Sequence, residues 1–231
     1  MARYAVRTGG AQGTTYCTVS IAARKSGVVL ASTHVTTDER MDTPLTIRDL
    51  RRDEHEALGQ LMVQVYAKLD GFPTPLEQPR YYELLANVGQ FTERPGARVL
   101  VAVTSREELV GGVVYFGDMA QYGSGGIATT VGDASGIRLL AVDPRFRGAG
   151  TGKALTAECI RLARDAGHSQ VILHTTAAMQ TAWAMYERIG FVRAEELDFL
   201  QEGFPVYGFR LRLRSAGEQR VRSAGPTRAT D

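Results

Sequence analysis

The chain has 231 residues, of which 44% are apolar and 23% charged, and its formal net charge is +2. This composition is typical of a globular protein and excludes a wholly disordered or fibrous chain. No run approaches the roughly 18 uninterrupted apolar residues of a membrane span. At about 150 residues per domain, the length predicts one domain with extensions.

Cysteine and histidine spacing argues against a disulfide scaffold and against a metal site. Only two cysteines are present, Cys17 and Cys159, and the second falls in a helical apolar pattern that indicates a buried thiol. A thiol of this kind is typical of a reducing compartment, so we expect a cytoplasmic protein. The four histidines are scattered along the chain, and no Cys/His cluster has zinc-ligand spacing.

The basic residues are concentrated at the two ends. Residues 1–40 hold five basic and two acidic side chains, and residues 214–231 hold four and two. The segment between them carries more acidic than basic residues, which argues against nucleic acid as the main partner. We interpret 1–40 as an atypical extension, with a transit peptide as the alternative, 41–213 as the working domain, and 214–231 as a flexible tail.

The first half of the working domain predicts a strand, two helices and two strands. The strand is Leu45–Ile47, and Asp49 or Asp53 can cap the helix after it. Glycine and prolines between 71 and 79 predict a loop before a helix at 80–89, followed by strands Arg98–Thr104 and Leu109–Phe116. Five apolar positions mark one face of the first helix: Leu58, Leu61, Met62, Val65 and Leu69.

The second half begins with a glycine-rich stretch, 117–136, which is long enough to suggest a functional loop. The elements predicted after it are, in order, strand Ile137–Val142, a helix after Gly152, strand Val171–Leu173, a helix at 178–189, and strands Phe191–Phe199 and Val206–Leu213. The order β-α-α-β-β-β-α-β-α-β-β predicts a mixed α/β domain of the α+β class on a largely antiparallel sheet.

The most informative segment is the glycine turn between the strand ending at Val142 and the next helix. The first backbone N–H groups of a helix lack internal partners, and glycines let an anion approach them, so we expect a phosphate or pyrophosphate there. A Walker A loop fails because Arg147 and Ala154 replace its glycine and Ser/Thr. A dinucleotide fingerprint fails because its third glycine falls on Lys153 or Leu155.

Two motifs in order give the family resemblance. Arg147-x-x-Gly150-x-Gly152 resembles the coenzyme A pyrophosphate loop of the GNAT superfamily of N-acetyltransferases. The later segment 182–191, with Ala182, Tyr186, Glu187, Gly190 and Phe191 at the family spacing, resembles its second signature. The resemblance covers roughly 45–213. It implies the GNAT fold, in which the fourth and fifth strands splay apart, and acetyl-CoA as co-substrate without a metal.

The resemblance also implies roles for residues near the coenzyme. Backbone groups of the strand end would contact the pantetheine arm and polarise the thioester: Leu140, Ala141 and Val142. The turn would cradle the pyrophosphate, with Arg145 adding charge: Arg147, Gly148, Ala149, Gly150, Thr151, Gly152 and Lys153. Tyr186 would protonate the departing thiolate, because a phenol keeps its proton at neutral pH. The amine would attack the thioester directly.

Two positions depart from the family pattern. Met179 stands where members often carry asparagine, which puts one pantetheine contact in doubt. Arg138 stands where members with a base on the fourth strand carry glutamate. We therefore consider His174 at the end of the fifth strand and Glu83 on the second helix as catalytic bases. A water chain is the alternative.

The acceptor side follows from the family's pocket walls, which correspond to 66–75 and 117–136. Aromatic residues there predict the walls of a substrate site: Tyr66, Phe72 and Tyr122, with Trp183 as a further candidate. If Arg138 points into the gap between the strands, it can hold a substrate carboxylate in a bidentate pair. The alternating strand Val206–Leu213 could pair two copies into a homodimer.

Three functions remain open on the sequence. The leading one is acetylation of a small-molecule primary amine. The second is acetylation of a protein N-terminus or lysine, which the long glycine-rich loop disfavours because it would narrow a peptide groove. The third is a non-catalytic acyl-CoA-binding regulatory domain, which the changes at 138 and 179 keep open and the retained Tyr186 opposes.

Overall fold

The computed structural model describes residues 44–213 and, outside them, two two-residue strands, Thr8–Gly9 and Tyr16–Cys17, which pair antiparallel. The predicted extensions 1–40 and 214–231 otherwise lie outside the described residues, and their boundaries stay predictions. Within 44–213, no helix has both the length and the apolar character that crossing a membrane requires.

Residues 44–213 form eight strands and four α-helices, joined by loops and short 3-10 helices. The strands are β1 Leu45–Asp49, β2 Ala97–Thr104, β3 Leu109–Phe116, β4 Ala134–Val142, β5 Gln170–Thr175, β6 Val192–Arg193, β7 Phe199–Gln201 and β8 Phe204–Arg212. The helices are α1 His55–Tyr66, α2 Pro79–Ala86, α3 Thr151–Asp165 and α4 Gln180–Ile189.

The strands form one sheet in the order β1-β2-β3-β4-β5-β8-β6, with β7 pairing beside β8. Every pairing is antiparallel except that of β4 with β5, which is parallel because α3 provides the crossover between them. The predicted mixed, mostly antiparallel sheet is therefore confirmed. Each residue of β8 pairs with β5 or β7, and Phe209 and Arg210 pair with β6 as well.

The fourth and fifth strands separate as the resemblance implies. Their pairing runs from Ala134 opposite Gln170 to Ile137 opposite Leu173 and then stops. Both strands continue beyond that point, β4 to Val142 and β5 to Thr175. A gap therefore opens in the middle of the sheet.

Some predicted elements differ in detail. The helix expected at 80–89 ends at Ala86, and a 3-10 helix, Val88–Glu93, replaces its last turn. The single strand expected at 191–199 is wrong: β6 and β7 are separated by a 3-10 turn that turns the Leu197 side chain into the core. Neither Asp49 nor Asp53 caps α1, because Glu54 occupies the N-cap position.

Helices pack on both faces of the sheet and bury two apolar layers. On one face α1 contributes Leu58 and Met62, which are fully buried against the sheet. On the other face α3 contributes Leu155 and Cys159. Each such side chain stabilises the fold by about 1.5–3 kcal/mol. The predicted burial of Cys159 is confirmed, and that burial raises the pKa of its thiol.

Candidate active site

A cavity lies where β4 and β5 part, beside the segment that joins α1 to α2. It encloses about 700 Å³ of space between atoms, part of which is open to solvent. Six of the predicted site residues line it: Tyr66, Phe72, Arg138, Leu140, His174 and Tyr186.

A β-bulge shapes the β4 side of the gap. The pairing of β3 with β4 shifts between Gly112 and Val114, so β4 carries an extra residue there. Leu139 adopts a φ of 55°, which costs a residue with a side chain about 1–2 kcal/mol. The next carbonyl, that of Leu140, accepts a long hydrogen bond of 3.4 Å from the Tyr66 hydroxyl. The bulge therefore removes regular pairing from the backbone at the cavity wall.

The glycine turn presents free backbone amides at the beginning of α3. Gly148 and Gly150 have φ values of 82° and 83°, a conformation that glycine adopts without strain. The first helical bond runs from the Ala154 amide to the Gly150 carbonyl at 2.9 Å. Among the described residues, no acceptor engages the six amides of 148–153. Free amides at the positive end of a 15-residue helix suit an anion such as pyrophosphate.

The cations near this turn differ in their availability. Arg145 pairs with Asp143 at 2.7 Å and with Glu108 at 2.8 Å, so its charge is largely neutralised. Arg147 and Lys153 form no ion pair within residues 44–213. They are therefore better placed than Arg145 to add positive charge beside an anion.

Tyr186 lies on α4, and its side chain lines the cavity. Its side chain is only 5% exposed, and its ring packs on Phe191 with centroids 5.8 Å apart. Within the part of the chain that the structure describes, its hydroxyl makes no hydrogen bond. Burial raises the pKa of the phenol, so the hydroxyl stays protonated at neutral pH and can donate to a ligand atom.

His174 lines the cavity, but both of its ring nitrogens are engaged. Nε2 lies 2.9 Å from the Leu197 carbonyl, and Nδ1 lies 2.9 Å from the Tyr122 hydroxyl. Burial lowers the pKa of the ring to about 4. The imidazole is therefore neutral with no free lone pair, an arrangement that favours a structural histidine over the expected base.

Glu83 does not line the gap between β4 and β5. It lies on α2 beside a second, more open cleft that also contains His55 and Arg80. The structure therefore does not bring the second predicted base to the cavity.

Two of the predicted aromatic walls lie elsewhere. Tyr122 is fully buried in the core, where its ring packs on Phe116 with centroids 5.5 Å apart. Its hydroxyl is hydrogen-bonded to Nδ1 of His174. Trp183 packs on Tyr207 and Phe209 and donates from Nε1 to Glu187. The walls instead come from Tyr66 and Phe72, as predicted, and from residues that the sequence did not single out.

Arg138 does point into the cavity. Its Nη1 donates to the carbonyls of Tyr122 and Gly123 at 2.6 and 2.8 Å. These bonds fix the guanidinium beside the Tyr122 ring, 5.5 Å from its centroid. The sequence predicted a carboxylate site on the condition that Arg138 points into the gap between the strands, and this condition is met.

The sequence missed several lining residues because they come from separate parts of the chain. Thr175 and Thr176 follow His174 directly, and the end of a strand at a splayed pair was a signal for them. Gln78 and Gln201 are joined by amide hydrogen bonds of 3.4 and 3.3 Å, but no local pattern connects residues so far apart. Tyr81 and Phe204 also line the cavity.

A family model described as the acetyltransferase (GNAT) family matches residues 62–191, more than half of the chain. The chain belongs to the GNAT acetyltransferase family. The match contains both the glycine turn and Tyr186. Membership of this family makes the GNAT protein an N-acetyltransferase. It also supports the use of an acyl-CoA as co-substrate.

Relatives agree with this assignment. An uncharacterized N-acetyltransferase of Escherichia coli K12, YjgM, is 30% identical over 157 residues, which are 66% of this chain and 83% of that protein. The probable N-acetyltransferase family 8 member 5 of mouse is 43% identical over 54 residues, so the chain spans only 24% of that relative. A PaiA N-acetyltransferase from Thermoplasma acidophilum, solved with coenzyme A, has the same fold: the TM-score is 0.56 at 15% identity, over 74% of this chain and 99% of that one.

Proposed function

We propose that this GNAT acetyltransferase transfers the acetyl group of acetyl-CoA to a primary amine of a small molecule, by direct attack in a ternary complex. The cavity at the gap between β4 and β5 carries the proposal, because Tyr186, whose hydroxyl stays protonated at neutral pH, lines it beside the separated strands. The segment after α1 closes one side of it. Phe72 and Phe204 lie 5.7 Å apart, and the Gln78–Gln201 bonds join the same two segments. A protein substrate would need an open groove instead.

Each part of the site has a role in this reaction. Acetyl-CoA supplies an activated acyl group. The amides of 148–153 fit its pyrophosphate. The irregular backbone at Leu139 and Leu140 offers polar groups to the thioester, where a correctly placed N–H polarises the carbonyl. Tyr186 donates its proton toward the leaving sulfur.

The amine must be deprotonated before it attacks, and the cavity holds no ready base. No carboxylate is among the described residues that line it, and His174 is neutral and fully hydrogen-bonded. Glu83 lies at another cleft. We infer that the amine loses its proton to water, as the water-chain alternative predicts.

Replacing Tyr186 by phenylalanine tests the reaction. Loss of a general acid typically costs 10²–10⁴-fold, so we expect kcat for thiol release to fall at least about 100-fold. The affinity for coenzyme A, measured by calorimetry, should change little because the hydroxyl contacts only the sulfur end. Tyr207→Phe is the control, since this tyrosine packs on Trp183 outside the cavity.

The alternatives predict different results. A regulatory domain would bind acyl-CoA and release no thiol with any amine. A protein acetyltransferase would release thiol only with peptides. Full activity of Tyr186→Phe would contradict the assigned role of this residue.

The location and assembly stay predictions within this proposal. The buried free thiol of Cys159 suits a reducing cytoplasm. A homodimer through β8, as the sequence predicts, would use the face of this strand or the part of it outside Phe209 and Arg210 that pairs on one side only. Light scattering on the purified chain distinguishes a monomer from a dimer.

A further inference from the structure

The cavity has an uneven charge. Among the described residues that line it, Arg138 is the one with a permanent positive charge, and none is an aspartate or glutamate. His174 adds no charge at neutral pH because burial lowers its pKa to about 4. An acceptor that carried only positive groups would therefore face a cation without any compensating carboxylate, which is costly in a partly dehydrated site.

The Arg138 side chain is held in place with one edge free. Both hydrogen bonds to the protein, to the carbonyls of Tyr122 and Gly123, come from the same nitrogen, Nη1. Within residues 44–213, no acceptor engages Nε or Nη2. A guanidinium that presents two adjacent N–H groups has the geometry that binds a carboxylate with two parallel hydrogen bonds.

Two hydroxyl groups at the end of β5 form a second, independent observation. Thr175 and Thr176 are 2% and 4% exposed, and both line the cavity. Their Oγ1 atoms have no hydrogen-bond partner among the described residues. Buried polar groups in folded proteins normally have a partner, so these hydroxyls point to a polar ligand in the cavity.

The remaining wall is aromatic. Phe72 lies at the centre of a cluster, with its ring centroid 5.5 Å from Tyr66, 5.7 Å from Tyr81 and 5.7 Å from Phe204. Such a surface binds an apolar group by excluding water. The cavity thus combines a cation, free hydroxyls and an apolar wall.

We propose that the acceptor is an amino-acid-like molecule, which carries its primary amine, a carboxylate and an apolar body, and that its carboxylate binds the free edge of the Arg138 guanidinium. This inference rests on the proposed function and names the substrate class of the same cavity. The aromatic cluster around Phe72 receives the apolar body. Polyamines are disfavoured because the described lining offers their second ammonium no carboxylate and places the Arg138 cation beside it.

Matched pairs of substrates test the inference. Thiol release from acetyl-CoA is measured with phenylalanine, leucine and methionine and with the carboxamide of each, which differs only in lacking the negative charge. We expect the wild type to prefer at least one acid over its amide by about tenfold or more in kcat/KM. The amine of an amide loses its proton more readily than that of the acid, so amine basicity cannot produce this preference.

Variants assign the preference to Arg138. Arg138→Gln should raise KM for the acid about 10- to 100-fold, as expected for the loss of a charge-assisted pair, and leave KM for the amide nearly unchanged. Arg138→Lys keeps the charge without the planar guanidinium, so its KM for the acid should lie between those of the wild type and Arg138→Gln. Arg94→Gln is the control, because Arg94 supports the same loop through the Gln121 carbonyl but does not line the cavity.

The outcomes separate this inference from the proposed function. Equal use of acid and amide by the wild type would overturn the inference and leave amine acetylation standing. An equal KM effect of Arg94→Gln would overturn it too, since the loop and not the charge would then set affinity. Binding of coenzyme A with no thiol release from any amine, polyamines included, would reject the proposed function itself. Calorimetry of the amino acid against the coenzyme A complex gives a readout of Arg138 that is independent of turnover.

Discussion

At the scale of single residues, the environment of His174 decides its protonation. The Leu197 carbonyl can only accept a hydrogen bond, so Nε2 carries the ring proton and Nδ1 accepts from the Tyr122 hydroxyl. Protonating the ring would reverse the bond, with Nδ1 donating to the Tyr122 oxygen, and would place a positive charge in a buried site. The pKa of His174 is lowered from 6.5 to about 4 mainly by burial, and the charge of Arg138 lowers it further.

This pKa predicts a loss of stability in mild acid. Between pH 6.5 and 4 the unfolded chain binds a proton that the folded chain does not, so the free energy of unfolding should fall as the pH falls through this range. His174 destabilises the folded chain by about 3 kcal/mol below pH 4, and this destabilisation vanishes above pH 6.5. His174→Gln, which does not titrate, should lack that part of the slope. Urea unfolding at several pH values measures it.

The comparison uses the slope and not the absolute stability, because glutamine also alters the packing. His55→Gln serves as control, since His55 begins α1 and does not line the cavity between β4 and β5. Equal slopes in the wild type and His174→Gln would show that other groups cause the acid loss.

At the scale of elements, α3 has a glycine at each end, and substituting each one distinguishes the effect of backbone strain from an effect on ligand binding. Gly150 precedes the helix with a φ of 83°, and Gly167 follows it with a φ of 77°. A methyl group at either position would meet no atom within 4 Å. Alanine at each should therefore cost about 1 kcal/mol of stability through backbone strain alone.

Only the first of these changes should affect coenzyme A. Gly150 lies within the run of free amides of 148–153, so a methyl group added there stands beside the expected pyrophosphate. We predict that Gly150→Ala weakens coenzyme A binding at least about tenfold and that Gly167→Ala does not, although both lose similar stability. Calorimetry and urea unfolding measure the two quantities. If both variants bound coenzyme A like the wild type, the turn would have only a structural role.

The elements that the sequence predicted are those whose signals are local. The apolar face of α1, the glycine turn and the Tyr186 motif each lie within one stretch of chain. The split between β6 and β7 was missed because it depends on Asp198, which accepts from the Gly208 amide and pairs with Arg193. The bulge at Leu139 was missed because it arises from the pairing of β4 with β3.

At the scale of the whole molecule, the cavity joins segments from almost the full length of the domain. Phe72 comes from the loop after α1, Arg138 from β4, Tyr186 from α4 and Phe204 from β8. The glycine turn stands at the carboxyl end of β4, so a ligand that spans turn and gap contacts several elements at once. Aspects of the site that depend on this assembly, such as the closure between Gln78 and Gln201, have no local sequence signal.

A ligand bound across these segments should stabilise the folded chain as a whole. A ligand that binds only the native state adds about 2.7 kcal/mol at 100 times its Kd, which raises Tm by roughly 5–10 °C for a domain of this size. We predict such a rise with acetyl-CoA and with coenzyme A, measured by thermal unfolding. ATP and NAD should give none, because they lack the pantetheine arm that fits the gap between β4 and β5. Gly150→Ala should reduce the rise, while Gly167→Ala should keep it. An equal rise with ATP would mean that the turn binds phosphates without the gap, and the absence of any rise would remove the basis for assigning acyl-CoA binding to this turn.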